Sequence, residues 1–272
     1  MYPYSIIFGI DLYTVFLCIG LIGAIVVFRL FSDRIKMNWR VQNFCILVAF
    51  VSIVIGYLSA VFFQALYDIE SRGGFIIDSS TGATFYGGLI GGAGCFIALY
   101  FGIGSFWFKD KVHIDSFFSL ADIAAASIAI AHGFGRIGCL MAGCCHGKIV
   151  DAWYSVYMPA INAKAVPLQL YEALFLFAMF ALCTFLLLKF KFRHNMSVYL
   201  VSYGIFRFLI EYVRDDARGT LAEGISPSQF WAIFMVVIGV ALYFWLEFFW
   251  SKYPSALAPA DVPEKAKKND AE

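Results

Sequence analysis

Charged residues are scarce in this sequence of 272 residues. Aspartate, glutamate, lysine and arginine together make up 14% of the chain, and the net charge is +1. A soluble globular domain is about a quarter charged, so the shortage argues against a soluble fold. The nearly neutral balance also lacks the basic surface of a nucleic-acid-binding protein, and we expect no nucleic-acid partner. No basic segment precedes the first apolar run, so no cleaved signal peptide is expected.

Apolar residues take the place of the missing charge. They make up 61% of the chain, and the mean hydropathy is +0.78. An apolar stretch of about 20 residues can cross a bilayer as a helix. Seven stretches approach this length: Leu12–Leu30, Phe44–Leu66, Thr84–Phe108, Phe117–Ile137, Leu168–Phe190, Val198–Val213 and Ser228–Trp250. We therefore predict an all-α membrane protein, a bundle of about seven transmembrane helices.

Basic residues are unevenly divided between the loops. The loops after the first, third and fifth stretches and the C-terminal tail hold most of the lysines and arginines. Because short cytoplasmic loops are enriched in these residues, we predict that the N-terminus lies outside and the C-terminus in the cytoplasm. Residues 1–250 would form a single transmembrane domain. Residues 251–272, rich in proline, alanine, lysine and glutamate, would form a disordered cytoplasmic tail.

A glycine-rich segment surrounds Arg136 at the end of the fourth stretch. Five glycines occur between residues 133 and 147, and Gly135 and Gly138 flank the arginine. An arginine at the centre of a membrane helix costs about 3 kcal/mol, so its presence indicates a function. A guanidinium group matches a phosphate, and adjacent glycines allow close approach. We predict that Arg136 binds an anionic phospholipid headgroup; the alternative is an anchor that reaches the membrane interface.

The sixth stretch carries three polar residues at steps of four. Tyr203, Arg207 and Glu211 therefore share one face of an otherwise apolar helix. Such a stripe faces the protein interior or a wet cavity rather than lipid. We predict that this polar stripe faces the ligand and that Arg207 binds the same phosphate as Arg136. The alternative is an internal ion pair between Arg207 and Glu211.

Two further segments hold candidate substrate-binding residues. Glu172 lies at the start of the fifth stretch and is a candidate for substrate binding, although a carboxylate in a first turn is also favourable for the helix dipole alone. Gln169 and Tyr171 could line the same cavity. In the third stretch, Gly87 and Gly88 begin a pattern of glycines four residues apart. This spacing favours close packing of helices. The alternative is that Gly87 and Gly88 leave room for a lipid headgroup.

Three cysteines and a histidine follow the arginine. Cys139, Cys144, Cys145 and His146 are spaced C-x4-C-C-H, which is not a usual zinc pattern, so we predict no metal and no other cofactor. A disulfide from Cys139 to Cys144 or to Cys145 would suit an oxidising outer face. A reactive thiolate activated by His146 or Arg136 is the other alternative.

Four blocks of sequence occur in a fixed order between Thr84 and about Val240: Phe85–Gly91, Gly135–Cys139, Pro167–Ala173 and Tyr203–Glu211. They resemble F-H-G-G-L-x-G, G-R-x-G-N, P-x-Q-L-Y-E-A and Y-G-x-x-R-x-x-x-E of the prolipoprotein diacylglyceryl transferase family of bacterial inner membranes. The resemblance implies transfer of a diacylglyceryl group from phosphatidylglycerol to the lipobox cysteine of a prolipoprotein, with release of glycerol phosphate.

The resemblance also implies roles for individual residues. Arg136 and Arg207 would hold and neutralise the phosphate leaving group, Glu211 would position Arg207, and Tyr203 would hydrogen-bond the lipid. Arginines that meet growing negative charge stabilise a transition state electrostatically. The implied partners are phosphatidylglycerol or another anionic phospholipid, the signal peptide of a prolipoprotein, and the membrane.

Two positions differ from the family pattern. Tyr86 stands where the family has histidine, and Cys139 stands where it has asparagine; the N-G-E that commonly follows reads Ala-Gly-Cys at residues 142–144. A tyrosine with an ordinary pKa of about 10 is a poor general base at neutral pH. We therefore predict that a strongly shifted Tyr86, or His146 in its place, removes the proton from the attacking thiol.

These departures leave other functions open. A non-catalytic lipid-binding or assembly paralogue would keep the arginine pair without the base, and a related transferase would use another acceptor. A transporter or channel is compatible with seven spans and a buried Arg–Glu pair. No inverted repeat of broken helices is visible to support that third alternative.

Overall fold

The computed structural model describes residues 4–7, 9–78, 80–214 and 226–252. In chain order the helices are α1 (Leu12–Arg34), α2 (Trp39–Tyr67), α3 (Ile69–Arg72), α4 (Phe85–Trp107), α5 (Val112–Asp115), α6 (Phe117–Ala142), α7 (Leu168–Phe190), α8 (Asn195–Ile210) and α9 (Pro227–Lys252). Short strands β1 (Ser5–Ile7) and β2 (Ile10–Asp11) pair antiparallel, as do β3 (Val156–Met158) and β4 (Ala163–Ala165). Single 3-10 turns cover Pro159–Ile161 and Glu211–Val213.

Seven of these helices are long and apolar enough to cross a membrane. They are α1, α2, α4, α6, α7, α8 with its 3-10 extension, and α9, and each overlaps the stretch predicted for it. The predicted fold class, an all-α protein with seven membrane-spanning helices, is confirmed. The orientation in the membrane and the single domain at residues 1–250 stay predictions. The tail predicted for residues 251–272 lies outside the described residues except for its first two, which end α9.

Large apolar side chains cover the outer faces of these helices. Ile22 on α1, Tyr57 on α2, Phe106 on α4 and Phe244 on α9 are mostly exposed. A water-soluble monomer rarely exposes contiguous apolar patches of more than a few hundred Å². Apolar faces in contact with lipid chains avoid the free-energy cost of exposing apolar surface to water. The exposed residues therefore agree with the membrane assignment.

One compact unit comprises the described residues within Met1–Arg34 and Phe118–Glu272. In it α8 packs closely along α9, because Gly204 has no side chain: a Cβ there would lie 2.8 Å from the carbonyl oxygen of Ala232. The buried carboxylate of Asp122 in α6 accepts a hydrogen bond of 2.9 Å from the backbone N–H of Asn195. This bond fixes the start of α8 against α6, two of the three helices that carry the candidate site.

The other compact unit is Ile35–Phe117. Its helices α2 and α4 lie in contact over much of their length through glycines. A Cβ on Gly56 would lie 3.0 Å from the carbonyl oxygen of Gly88, and a Cβ on Gly87 would lie 2.7 Å from Cβ of Phe63. The close packing predicted from the glycine spacing is confirmed.

Candidate active site

Arg136 lies inside α6 rather than at its end. The helix extends past the end predicted near Ile137 and reaches Ala142. Its glycines therefore sit in a regular helix, whose backbone N–H groups bond within the helix instead of approaching a ligand. They serve close packing: a Cβ on Gly138 would lie 3.1 Å from the carbonyl oxygen of Tyr13 in α1. Gly135 and Gly138 as substrate-binding residues stay predictions.

The guanidinium group of Arg136 is held at one end by Glu172 of α7. Nε of Arg136 lies 3.0 Å from Oε2 of Glu172, and the two side chains are 14% and 3% exposed. The distance is that of an ion pair, although the N–H is not aimed closely enough at the oxygen for a hydrogen bond. Nη1 and Nη2 of Arg136 make no hydrogen bond with the described part of the chain. Two groups of strong donors are thus left for a ligand.

Glu172 is also bonded to α8. The hydroxyl of Tyr203 donates a hydrogen bond of 2.6 Å to Oε1 of Glu172. The ring of His132, one turn before Arg136 in α6, lies beside it, with Nε2 at 3.5 Å from the Tyr203 hydroxyl and Nδ1 at 3.3 Å from that of Tyr199. Glu172, His132 and the two tyrosines therefore form one polar network between α6, α7 and α8.

Arg207 is anchored more fully than Arg136. Its Nη1 lies 2.8 Å from Oε2 of Glu211, and its Nη2 donates a hydrogen bond of 2.9 Å to the hydroxyl of Ser228 at the start of α9. The other carboxylate oxygen of Glu211 accepts a hydrogen bond of 2.9 Å from the hydroxyl of Ser226. Arg207 is 8% exposed. The ion pair considered as an alternative from the sequence is therefore formed, and Glu211 holds Arg207 in place.

The two arginines lie on the same polar network. Both Arg136 and Arg207, together with His132, act electrostatically on the carboxylate of Glu172. Charges interact more strongly in a protein interior than in water, so the charge of Arg207 contributes to the network around Glu172 although its own ion pair is with Glu211. Arg136 pairs with Glu172 and Arg207 with Glu211, and Nε of Arg214 lies 3.8 Å from Oε2 of Glu211. Three cations therefore face two carboxylates, and this excess of positive charge favours an anionic ligand.

The turn after α6 is tied to the first turn of α7. The side-chain amide of Gln169, itself 1% exposed, donates a hydrogen bond to the carbonyl oxygen of Cys144. The backbone N–H of Gly147 bonds the carbonyl oxygen of Val166 at 2.9 Å. His146 directs Nδ1 at the carbonyl oxygen of Gly147, 2.8 Å away, so Nδ1 carries the proton and Nε2 keeps a lone pair in the neutral ring. Gln169 therefore positions this turn.

The three cysteines of this segment come together. The Sγ atoms of Cys139, Cys144 and Cys145 all lie within 4.8 Å of one another. All three are thiols in the structure, so the disulfide considered from the sequence is not formed. Cys144 is exposed, and the other two are partly buried.

The remaining predicted residues are placed as follows. Gly135 makes ordinary contact with α1, where a Cβ would lie 3.7 Å from a methyl group of Leu17. Gly87 and Gly88 lie in the unit Ile35–Phe117 and pack on α2. Tyr86 is in the first turn of α4, and its side chain lies outside the described part of the structure. The roles of these four residues in substrate binding or catalysis stay predictions.

Several site residues were not predicted from the sequence to belong to the site. His132 precedes Arg136 by four residues and Tyr199 precedes Tyr203 by four, so helical periodicity could have found both. Ser228 bonds Arg207 from a segment far along the chain. No local pattern marks such a serine, since only the packing of α8 on α9 brings it to the arginine.

Fold and site together define a class: a multi-pass membrane protein with a buried, positively charged polar site between its helices. The family model described as prolipoprotein diacylglyceryl transferase matches residues 3–245. The chain belongs to this family, which is a family of transferases.

Curated relatives agree with this assignment. The chain is 32% identical to phosphatidylglycerol–prolipoprotein diacylglyceryl transferase 2 of Clostridium perfringens, over 87% of this chain and 92% of the relative. It is 29% identical to the phosphatidylglycerol–prolipoprotein diacylglyceryl transferase of Clostridium tetani, over 87% and 94%. It is 32% identical to that of Pseudomonas paraeruginosa, over 84% and 85%. The resemblance found in four sequence blocks thus extends over nearly the whole chain.

Proposed function

We propose that this protein transfers a diacylglyceryl group from phosphatidylglycerol, or another anionic phospholipid, to the lipobox cysteine thiol of a prolipoprotein at the bacterial inner membrane. The observation that carries the proposal is the state of Arg136. The Nε of its guanidinium group lies 3.0 Å from Oε2 of Glu172, while Nη1 and Nη2 make no hydrogen bond with the described residues. Paired N–H donors in this arrangement match two oxygens of a phosphate.

The charges of the site fit the departure of a phosphate. Negative charge grows on the phosphate oxygen as its bond to the glyceryl carbon breaks, and cations fixed beforehand lower the free energy of that state. Arg136 would bind the phosphate directly. Arg207, held by Glu211 and Ser228, would complete the charge around it. Tyr203 would move its hydroxyl between Glu172 and the bound lipid.

The relatives' names supply the two substrates. Those names specify phosphatidylglycerol as the donor and a prolipoprotein as the acceptor for each relative. Cys139 and Tyr86 differ from the pattern of the family, so the assay below tests the acceptor directly with a lipobox peptide. His146 is the base that the sequence predicts in place of a histidine at position 86.

A transfer assay with matched arginine variants tests the proposal. The protein would be reconstituted in nanodiscs with acyl-labelled phosphatidylglycerol, and a lipobox peptide would be analysed for the thioether product by mass spectrometry. We expect Arg136→Ala to reduce the transfer rate by about a hundredfold or more. The rate of Arg136→Lys should lie between those of the wild type and Arg136→Ala, because lysine keeps the charge without the planar pair of donors.

Arg40→Ala is the control. Arg40 is an exposed arginine whose Nη1 lies 3.3 Å from Oδ2 of Asp110, and its loss should leave the rate unchanged. Full activity of Arg136→Ala would contradict the proposed role of this arginine. A folded wild-type protein that binds phosphatidylglycerol but makes no thioether with any lipobox peptide would identify a non-catalytic lipid-binding member instead.

A further inference from the structure

The turn that ends α6 brings three thiols to one point. Cys139 lies in the last turn of the helix, and Cys144 and Cys145 follow it, yet their three Sγ atoms lie within 4.8 Å of one another. Neighbouring cysteines normally point in different directions. Here Gly143 and Cys145 both have left-handed backbone conformations, with φ of +74° and +62°, and this double reversal gathers the sulfur atoms.

The left-handed Cys145 is itself informative. A residue other than glycine, asparagine or aspartate adopts this conformation rarely, and where it does the surroundings hold it there, often at a functional site. Here the backbone N–H of Cys144 bonds the carbonyl oxygen of Cys139 at 3.2 Å. On the other side, buried Gln169 of α7 donates to the carbonyl oxygen of Cys144. The turn is therefore fixed from two sides, and the thiols are positioned by the fold.

The spacing of the sulfur atoms fits a thiophilic metal ion. Zinc binds thiolate sulfur at about 2.3 Å in a tetrahedron, which places sulfur ligands about 3.8 Å from one another. Sulfur atoms already within 4.8 Å reach that arrangement through small side-chain rotations. Structural zinc sites have four protein ligands, whereas three protein ligands and an open position are typical of catalytic zinc.

The charge around the cluster also fits. Three thiolates and one Zn²⁺ carry a net charge of −1, which is costly next to lipid without a counter-ion. Arg136 precedes Cys139 by one helical turn and is close enough to Cys139 and Cys145 to act on the charge of their thiolates. The same guanidinium group that faces Glu172 therefore offers a counter-charge to the metal site.

We propose that Cys139, Cys144 and Cys145 bind one Zn²⁺ and that the open fourth position takes the acceptor thiol of the substrate. The spacing in the sequence alone had predicted no metal, because it does not reveal the left-handed turn. The position of the site, next to Arg136 and with Cys144 exposed, gives an incoming thiol access to the place where the phosphate would lie. This part of the inference rests on the proposed transferase function.

The chemistry is balanced without any oxidant or reductant. A thiol bound to zinc loses its proton, which passes to water, and the metal keeps its charge throughout. The sulfur lone pair forms the C–S bond with the glyceryl carbon, the C–O bond to phosphate breaks, and its electron pair leaves on glycerol phosphate beside Arg136. Thiol activation by zinc would take the place of the general base that the sequence predicts at Tyr86 or His146, and His146→Ala separates these two alternatives.

Metal binding is tested first, by a readout independent of activity. Full-length protein in nanodiscs, kept reduced with a phosphine, would be stripped with a chelator, loaded with ZnCl₂ or CoCl₂, and freed of excess metal. We expect one metal ion per chain by elemental mass spectrometry, and a near-ultraviolet thiolate-to-cobalt absorption band. Each of the variants Cys139→Ser, Cys144→Ser and Cys145→Ser should weaken binding by more than about tenfold, whereas Cys18→Ser, a change at an exposed cysteine on α1, should not.

The outcomes separate this proposal from the proposed function. A variant with serine at all three positions, 139, 144 and 145, gives the background level of metal. The zinc site would be overturned if the wild-type protein bound no more metal than this variant. It would also be overturned if Cys139 formed a disulfide with Cys144 or Cys145 in place of binding metal. The cobalt spectrum should shift when a lipobox peptide is added, and an unchanged spectrum would overturn thiol coordination. Chelated wild-type protein that still transfers diacylglycerol at its full rate would refute the zinc mechanism and leave the transferase intact. If the protein bound one metal ion per chain but transferred no diacylglycerol, the zinc site would stand and the proposed transferase function would be refuted.

Discussion

Nε of Arg136 and Oε2 of Glu172 face each other at 3.0 Å between α6 and α7, with the glutamate side chain 3% exposed and the arginine 14%. A buried ion pair of this kind is weak evidence for stability, because removing two charges from water offsets most of their attraction. Its value lies in orientation: the pair fixes one end of the guanidinium group and leaves the other end for a ligand.

Glu172→Gln tests whether the negative charge of this residue is needed, because the substitution changes the charge and keeps the shape of the side chain. The amide keeps the size of the side chain but leaves Arg136 without its counter-ion in a buried place. Breaking a buried pair costs about 3–5 kcal/mol, so we expect a lower midpoint of thermal unfolding and a transfer rate reduced by at least about tenfold. Glu247→Gln is the matched control, since Glu247 is 55% exposed and pairs with His194 at the other end of the unit's helices. Equal effects of the two variants would contradict a special role for Glu172.

Ser228→Ala tests how Arg207 is held. The change removes the acceptor of the 2.9 Å hydrogen bond from Nη2 and leaves a buried charged donor unsatisfied, which costs about 1–3 kcal/mol. We expect slower transfer with little change in affinity for the acceptor peptide. Ser197→Ala on the same helix as Arg207 is the control, because the Ser197 hydroxyl is buried without a partner among the described residues. If Ser228→Ala were as active as Ser197→Ala, the result would contradict a role of Ser228 in the site.

Gly20→Ala tests the packing that places Arg136. A Cβ on Gly20 of α1 would lie 2.8 Å from the carbonyl oxygen of Ala131 in α6, a backbone atom that can move only with its helix. Such overpacking costs about 1–3 kcal/mol, and we expect reduced thermal stability and slower transfer. Gly23→Ala is the control one turn away, where the nearest atom, on Ile130, would be at 3.7 Å. Unfolding curves that coincide for the two variants would show that α1 does not constrain α6 there.

His146→Ala tests the base predicted from the sequence. The Nε2 lone pair of His146 is lost in this variant, while the short contact of Nδ1 with the Gly147 carbonyl oxygen is a local one whose removal the fold should survive. General-base catalysis contributes about a hundredfold or more, so a loss of that size is expected if His146 takes the thiol proton. A folded His146→Ala protein with full transfer activity would exclude this role.

Helical periodicity was sufficient to predict much of the site. Steps of four placed Tyr203, Arg207 and Glu211 on one helix face, and the structure has Tyr203 and Arg207 directed at neighbouring helices through Glu172 and Ser228. The seven spans were predictable for a similar reason, since length and apolar composition alone decide whether a helix can cross a bilayer.

Contacts between distant segments could not be read from the sequence. The pairing of Arg136 with Glu172 depends on how α6 and α7 pack, and Ser228 reaches Arg207 only through the packing of α8 on α9. The convergence of the thiols depends on two left-handed residues in one turn. Glycine permits that conformation, but Cys145 gives no local signal for it.

The position of the phosphate is the most direct test of the account. A structure of the protein in a nanodisc with a non-cleavable phosphonate analogue of phosphatidylglycerol would locate that group. We predict that it lies within hydrogen-bond distance of Nη1 or Nη2 of Arg136, with the charge of Arg207 beside it. A headgroup bound elsewhere, with both arginines still paired only to Glu172 and Glu211, would contradict the account.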